Sequence, residues 1–189
     1  MTAAELSQKV NVHDPSNKIR DQKERYIKGL GGTLAEYAVR KYIDIEASKQ
    51  NLKVNISSKD ESYMGQIDLL IEVNGKKKTL EVRSSFFYKT SFTRLFNVAS
   101  IIGWYKTQSK PGEYKKDFYL FVIHFYNPRD IEDLLKREFV FYIMGGAPKE
   151  LLNNVGEDTF LEQEGATYRT IKPITKGRDA VDIFNEILS

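Results

Sequence analysis

Residues 65–85 read GQIDLLIEVNGKKKTLEVRSS, two apolar runs joined by an Asn-Gly pair. Asn-Gly between such runs is the strongest short-range signal for a two-residue β-hairpin turn. The turn at Asn74-Gly75 therefore predicts two antiparallel strands. It also predicts their register, because residues equidistant from the turn face each other. Asp68 is thereby placed opposite Glu81.

Two carboxylates in this register would repel each other. Directly opposed residues have Cβ atoms about 4.5–5.5 Å apart, and like charges there are destabilising. A cation between them would remove the repulsion, and carboxylate, carbonyl and water oxygens are ligands that suit Mg²⁺. Arg83, two residues after Glu81, projects from the same face of its strand. The alternative is a solvated hairpin face on which these acids and Arg83 form exposed ion pairs of little energetic consequence.

The segments around the hairpin predict an α/β fold with a central mixed β-sheet flanked by helices. Over residues 27–50, apolar residues recur at helical spacing. Gly31-Gly32 weakens the first turn of this segment, so we expect the strong helix to begin at Thr33. The remaining predicted elements are a strand at 52–58, a helix at 91–106, buried strands at 117–126 and 138–144, a short helix or turn at 131–137, a helix near 148–154, a strand near 167–174 and a terminal helix at 178–188.

Length and composition bound the class of protein. The 189 residues, 41% of them hydrophobic, predict one domain with a real core. We expect a polar arm over 1–25 and a single domain over 26–189, with its core at 26–126 and an elaboration at 127–189. A formal charge of +3 barely favours an acidic partner.

The absence of cysteine excludes disulfides, thiolate zinc sites and cysteine nucleophiles. The sequence contains neither a signal peptide nor an apolar run of membrane-spanning length, so a cytoplasmic protein without a membrane partner is expected.

The pattern Asp68, twelve residues, Glu81-Val82-Arg83 resembles the signature of the PD-(D/E)XK nucleases, the restriction-endonuclease-like superfamily. In that family an Asp on one strand and Glu-x-Lys on the next build a Mg²⁺ site that hydrolyses DNA phosphodiester bonds. Glu36 matches the glutamate that such nucleases tend to carry on the preceding helix. The predicted element order is also similar to the family core. The resemblance covers roughly residues 26–126.

The sequence departs from the family pattern at two positions. Ile67 stands where a proline often precedes the aspartate, and Arg83 stands where the family usually has lysine. Arginine stays protonated and cannot act as a base. It is expected instead to bind the scissile phosphate as a bidentate donor and to stabilise charge in the transition state. Lys89, just beyond the strand, is a candidate for the usual role of the lysine.

The resemblance implies a Mg²⁺-dependent endodeoxyribonuclease, of the restriction type, acting on double-stranded DNA as a homodimer. Asp68, Glu81 and the Val82 carbonyl would hold the metal, Arg83 the phosphate, and Glu36 a metal water or a second ion. One alternative is a non-catalytic DNA-binding or subunit protein that keeps the nuclease fold. A second alternative is a metal-independent α/β protein whose hairpin acids are only surface groups.

Several other residues have both a functional and a structural interpretation. Glu36 also fits a capping box that starts at Thr33. His124 is interpreted as a core histidine with satisfied hydrogen bonds, and Gly145-Gly146 as a plain turn. The candidate DNA contacts, which solvation alone would also explain, are Lys76, Lys77 and Lys78 at the hairpin tip and the group Lys106, Lys110, Lys115 and Lys116.

Overall fold

A computed structural model describes residues 19–58, 67–87, 91–106, 114–125, 140–162 and 166–189, together with residues 8, 10 and 12. The helices and strands, in chain order, are α1 (Gln22–Lys49), β1 (Val54–Ser57), β2 (Leu69–Val73), β3 (Lys76–Phe86), α2 (Phe92–Val98), β4 (Ile101–Lys106), β5 (Phe118–His124), β6 (Phe141–Pro148), α3 (Lys149–Val155), β7 (Glu157–Leu161), β8 (Ala166–Ile171), a 3-10 turn (Ile174–Lys176) and α4 (Ala180–Leu188). The segment at 131–137 and Lys89 lie outside the described residues.

The strands form two sheets. The larger has five strands in the order β1-β2-β3-β5-β6, and the smaller has three in the order β4-β8-β7. In the larger sheet β3 and β5 run parallel, while the other neighbouring pairs are antiparallel. The predicted α/β class with a central mixed sheet and flanking helices is therefore confirmed. Among the helices that the structure describes, none combines the length and the apolar character that a membrane crossing needs.

The hairpin forms in the predicted register. Asn74 and Gly75 have φ angles of 51° and 76°, as a type I′ turn requires. Leu69 pairs with Leu80, and the pairing continues without a shift to the turn. This pairing does not extend to Asp68 and Glu81. Asp68 precedes β2, and its amide donates to the carbonyl of Leu80, the partner of Leu69, at 3.2 Å, so Asp68 is near Glu81 but not directly opposite it.

Helix α1 begins at Gln22, inside the predicted arm, so the predicted start at Thr33 was wrong. Asp21 caps it, with its Oδ1 accepting from the Glu24 amide at 2.7 Å. Thr33 lies inside the helix, so the capping box with Glu36 does not form. Gly31 lets α1 pack closely against Phe86, because a Cβ at Gly31 would lie 2.8 Å from the Phe86 ring.

The predicted helix at 91–106 divides into α2 and β4. Ser91 caps α2, with its Oγ accepting from the Arg94 amide at 3.3 Å. The chain then extends at Ala99, and β4 pairs with β8. Gly103 permits this pairing, because a Cβ there would lie 3.0 Å from the Arg169 carbonyl oxygen. A strand pairing with a distant segment thus overrides the local helical spacing.

The C-terminal third agrees with the predicted elements except at two places. Strand β7 was not predicted, because its side chains are mostly exposed and show no apolar alternation. The turn predicted at Gly145-Gly146 was wrong, since both residues lie inside β6, where the register shifts at a bulge. Helix α3, strand β8 and helix α4 form close to their predicted positions.

Both faces of the larger sheet are covered. Helices α1 and α4 pack on one face through Val39, Ile43 and Phe184. The other face packs against α2, β4 and α3 through Leu95, Trp104 and Leu152. All seven residues of β5 are buried, as its continuous apolar run predicted. Because β6 and α4 complete this core, the segment 127–189 is more than an elaboration.

Candidate active site

Of the three acidic residues predicted to act together, Glu36 and Glu81 each lie within electrostatic reach of Asp68. Glu36 comes from α1, Asp68 immediately precedes β2 and Glu81 lies in β3. Burial raises the pKa of Asp68 well above its usual range, and the negative charges of Glu81 and then Glu36 raise it further. The fold therefore concentrates negative charge at the end of the hairpin away from the Asn-Gly turn.

The Asp68 carboxylate is fixed by the backbone of the next strand. Its Oδ2 accepts a hydrogen bond from the Val82 amide at 2.7 Å. This bond, and the positive charge of Arg83, favour the ionised form and oppose the upward shift of the Asp68 pKa. The contact with Val82 is made by its amide nitrogen, while the role predicted for its carbonyl as a metal ligand stays a prediction.

Glu81 is buried, with 8% of its surface exposed, and both of its carboxylate oxygens meet a cation. Its Oε1 lies 3.0 Å from Arg83 Nη2, and its Oε2 lies 3.1 Å from Lys116 Nζ. The repulsion expected between Asp68 and Glu81 is thus offset by two protein cations. The hypothesis that these acids form weak pairs on a solvated hairpin face does not fit this burial.

Lys116 is the site residue that sequence reasoning missed. It was grouped with lysines of a basic loop, yet only 1% of its surface is exposed. Its position directly before the apolar run at 117–126 was the available signal. The parallel partner of β3 brings Lys116 close to Glu81. Leu80 pairs with Phe118, two residues after Lys116, and from there the Lys116 side chain reaches Glu81.

Neighbouring bonds hold the start of β5 firmly against β3. The Lys116 amide donates to the Tyr119 hydroxyl at 3.0 Å. Asp117 accepts from the amide and the hydroxyl of Thr79 at 2.9 and 2.8 Å, and Lys149 Nζ lies 3.5 Å from its other oxygen. These contacts fix the point from which the Lys116 side chain reaches Glu81.

The donor atoms of this cluster suit a divalent cation by their chemistry. Carboxylate oxygens are hard ligands of the kind that Mg²⁺ prefers. Within the described residues, however, no three or more histidine, cysteine, aspartate or glutamate side chains stand in an arrangement that would hold a metal ion. Because Glu81 and Asp68 are bonded to protein donors, an ion would have to share or displace those donors.

A groove of about 620 Å³ begins at Arg83 and follows the second half of β3. Arg83 joins the acidic cluster to this groove, and its guanidinium carbon lies 5.9 Å from the centre of the Tyr168 ring. The wall thus combines cations, hydroxyls and aromatic rings. Its residues are Lys28, Val82, Arg83, Ser84, Ser85, Phe86, Phe87, Ile102, Phe121 and Tyr168.

The lysines at the hairpin tip lie away from this cluster. Lys76 and Lys77 are exposed, five and four residues from Glu81 along β3, which corresponds to roughly 14–17 Å. Lys78 instead donates to the carbonyls of Glu186 and Ile187 at 2.9 and 3.0 Å, near the end of α4. It therefore has a structural role in addition to the DNA contact predicted for it.

Comparison with known proteins gives one informative match. No family model matches the chain, and no solved structure matches it. A curated protein of Methanocaldococcus jannaschii, described as "Uncharacterized protein MJECS01", is 30% identical in an alignment 219 positions long, gaps included, that covers 98% of this chain and 79% of that protein. The chain belongs to the family of that protein. Its description states no activity, so the function is argued from the geometry of the site.

Proposed function

We propose that this chain is a Mg²⁺-dependent endodeoxyribonuclease of the restriction type that cuts double-stranded DNA. The observation that carries the proposal is that Asp68 lies within electrostatic reach of both Glu36 and Glu81, beside a groove that contains Arg83. Acidic side chains next to a cationic groove suit a reaction in which a metal and a phosphate have to meet. The restriction-endonuclease-like identity of the core is part of this proposal.

The topology of the larger sheet supports the resemblance on which the proposal depends. Helix α1 is followed by three antiparallel strands, then by helix α2, and then by β5, which runs parallel to β3. This is the helix, three strands, helix, strand order expected for the family core. Strand β4 is an addition within the crossover, and it joins the smaller sheet.

Each site residue has a defined task in this proposal. Asp68 and Glu81, with the Val82 carbonyl, would hold Mg²⁺, and Glu36 would position a water or a second ion. When bound, Mg²⁺ would supply charge neutralisation at the phosphate and a water of lowered pKa. Arg83 has five N–H donors in a planar fork, so it can keep its bond to Glu81 and still donate to a phosphate in the groove.

The partner and assembly predictions belong to the same proposal. The groove supplies Lys28 and Arg83 for phosphate contacts and the Ser84 and Ser85 hydroxyls as further donors. A homodimer would let each protomer cut one strand of the duplex. A cytoplasmic location follows from the same role, because the substrate is DNA.

A second candidate function is a non-catalytic DNA-binding or subunit protein with the same fold. The observation that favours it is the pairing of Glu81 with both Arg83 and Lys116, which balances the charge of that carboxylate without a metal. In that case the groove would hold DNA, and the acidic cluster would be structural.

A plasmid-nicking assay in millimolar Mg²⁺ separates the two functions. Wild-type protein should convert supercoiled DNA to the open circle, and Glu81→Gln should lower the rate about 100-fold or more, because a ligand and its charge are lost. Glu72→Gln, in the same hairpin but outside the cluster, is the matched control and should keep the wild-type rate. Wild-type protein that shifts DNA in a gel without nicking it would support the second candidate. Full activity in Glu81→Gln would refute the assignment of the site.

A further inference from the structure

The ammonium of Lys116 is enclosed by the fold rather than solvated. With 1% of the residue surface exposed, the charge must be compensated inside the protein, because an unpaired buried ammonium is strongly destabilising. The ion pair between Lys116 Nζ and Glu81 Oε2, at 3.1 Å, provides that compensation. An apolar side chain of similar length would fill the same space without needing a partner, so packing alone does not require a lysine here.

Lys116 and Arg83 reach Glu81 from different parts of the fold. Lys116 approaches from the segment just before β5, whereas Arg83 lies on the same strand as Glu81 and contacts the other carboxylate oxygen. Asp117, anchored to Thr79, prevents the start of β5 from moving away from β3. The Glu81 carboxylate is therefore clamped between two cations on fixed backbone.

We propose that Lys116 is a positioning residue of the proposed nuclease site: its ammonium holds Glu81 by Oε2 and supplies positive charge that Arg83 alone does not. This inference rests on the proposed function, in which Glu81 is a metal ligand. Glu36, Asp68 and Glu81 together repel a DNA phosphate, and two adjacent cations offset that repulsion while keeping Glu81 in one orientation. Lys116, just before β5, thus takes over part of the role that a lysine has at the position of Arg83 in the family pattern.

Three variants test this role through nicking kinetics and Ca²⁺ binding. Lys116→Met removes the charge and keeps the length, and Lys116→Arg restores a charge. Lys49→Met changes an exposed lysine at the end of α1, where it pairs with Glu46 at 2.7 Å, and serves as the control. Urea denaturation first establishes that each variant is folded.

For Lys116→Met we expect kcat for nicking to fall about 10–100-fold with little change in KM, as for residues that orient a metal ligand. Its affinity for Ca²⁺, measured by calorimetry, should rise severalfold, because a positive charge that competes for Glu81 is gone. Lys116→Arg should recover most of kcat, and Lys49→Met should match the wild type in both measurements. A merely structural lysine would instead lower kcat and Ca²⁺ affinity together.

The outcomes separate this inference from the proposed function. A kcat for Lys116→Met within about threefold of the wild type overturns the inference, and so does a fall in its Ca²⁺ affinity. If wild-type protein nicks no DNA with any divalent ion, the proposed function fails and the Ca²⁺ titration alone decides the inference. Tighter binding by Lys116→Met than by the wild type then supports the hold on Glu81. Equal binding, including no binding by either protein, overturns it.

Discussion

His124 should make the stability of this protein depend on pH below neutrality. Only 2% of the residue is exposed, and its ring stacks on Phe86 at 4.8 Å and meets Phe141 edge-on at 5.1 Å. The backbone of Gly31 offers the ring a hydrogen bond, while the buried Nε2 has no hydrogen-bond partner among the residues that the structure describes. It is the expected core histidine, but its hydrogen bonds are not all satisfied.

The magnitude follows from the displaced pKa of His124. Burial lowers this pKa from 6.5 to about 4, and the bond with Gly31 opposes that change only in part. Above pH 6.5 the ring is neutral in the folded and the unfolded state, so the protein has its full stability. As the pH falls from 6.5 toward 4, only the unfolded state takes up the proton readily, and the free energy of unfolding falls. At about 1.4 kcal/mol per pKa unit, the loss by pH 4 is about 3 kcal/mol.

Urea denaturation between pH 7 and pH 4 measures this loss. The wild type should be compared with His124→Phe, which keeps an aromatic ring against Phe86 and Phe141 but cannot titrate. Carboxylates titrate in both proteins, so their contribution cancels in the difference between the two free energies of unfolding. We expect the wild type to lose about 3 kcal/mol relative to the variant across this range. If the free energies of unfolding of the wild type and of His124→Phe fall by the same amount between pH 7 and pH 4, the reasoning about His124 is refuted.

Two further predictions concern the packing that positions the site. Gly31→Ala should be at least about 1 kcal/mol less stable by urea denaturation than Gly32→Ala, because the new methyl group meets the Phe86 ring, whereas a Cβ at Gly32 meets nothing within 4 Å. Equal stability of the two variants would show that Phe86 moves away without penalty. Asp117→Ala should lower the free energy of unfolding by about 2 kcal/mol, because it removes the acceptor of both Thr79 donors. Glu46→Ala, which breaks only an exposed pair with Lys49, should change it by at most about 0.5 kcal/mol, and a similar change in both would refute the anchoring role of Asp117.

The hairpin at the centre of the fold was predictable because its determinants are local. An Asn-Gly turn accepts the positive φ angles of a type I′ turn, and the turn then sets which residues face each other. Strand β5 was equally clear, since a run buried on both faces needs no alternation. The terminal helix α4 was also recognised from its amphipathic pattern.

Other elements depended on partners that local sequence does not reveal. Gly31 and Gly32 counted against a helix, yet Asp21 starts α1 earlier, and Gly31 is required by its contact with Phe86. The segment at 101–106 has helical spacing, but it becomes a strand because β8, far along the chain, pairs with it. In both places a tertiary contact outweighs local propensity.

The sequence by itself determined the hairpin register from the turn to the pair of Leu69 with Leu80, and so placed Asp68 and Glu81 at the same end of the hairpin. Only the tertiary structure decided what surrounds them: Glu36 from α1 within electrostatic reach, and Lys116 from the start of β5 against Glu81. The physical reason is the kind of connection involved. A two-residue turn fixes its register locally, whereas parallel strands joined by a long crossover find theirs through the packing of the whole sheet.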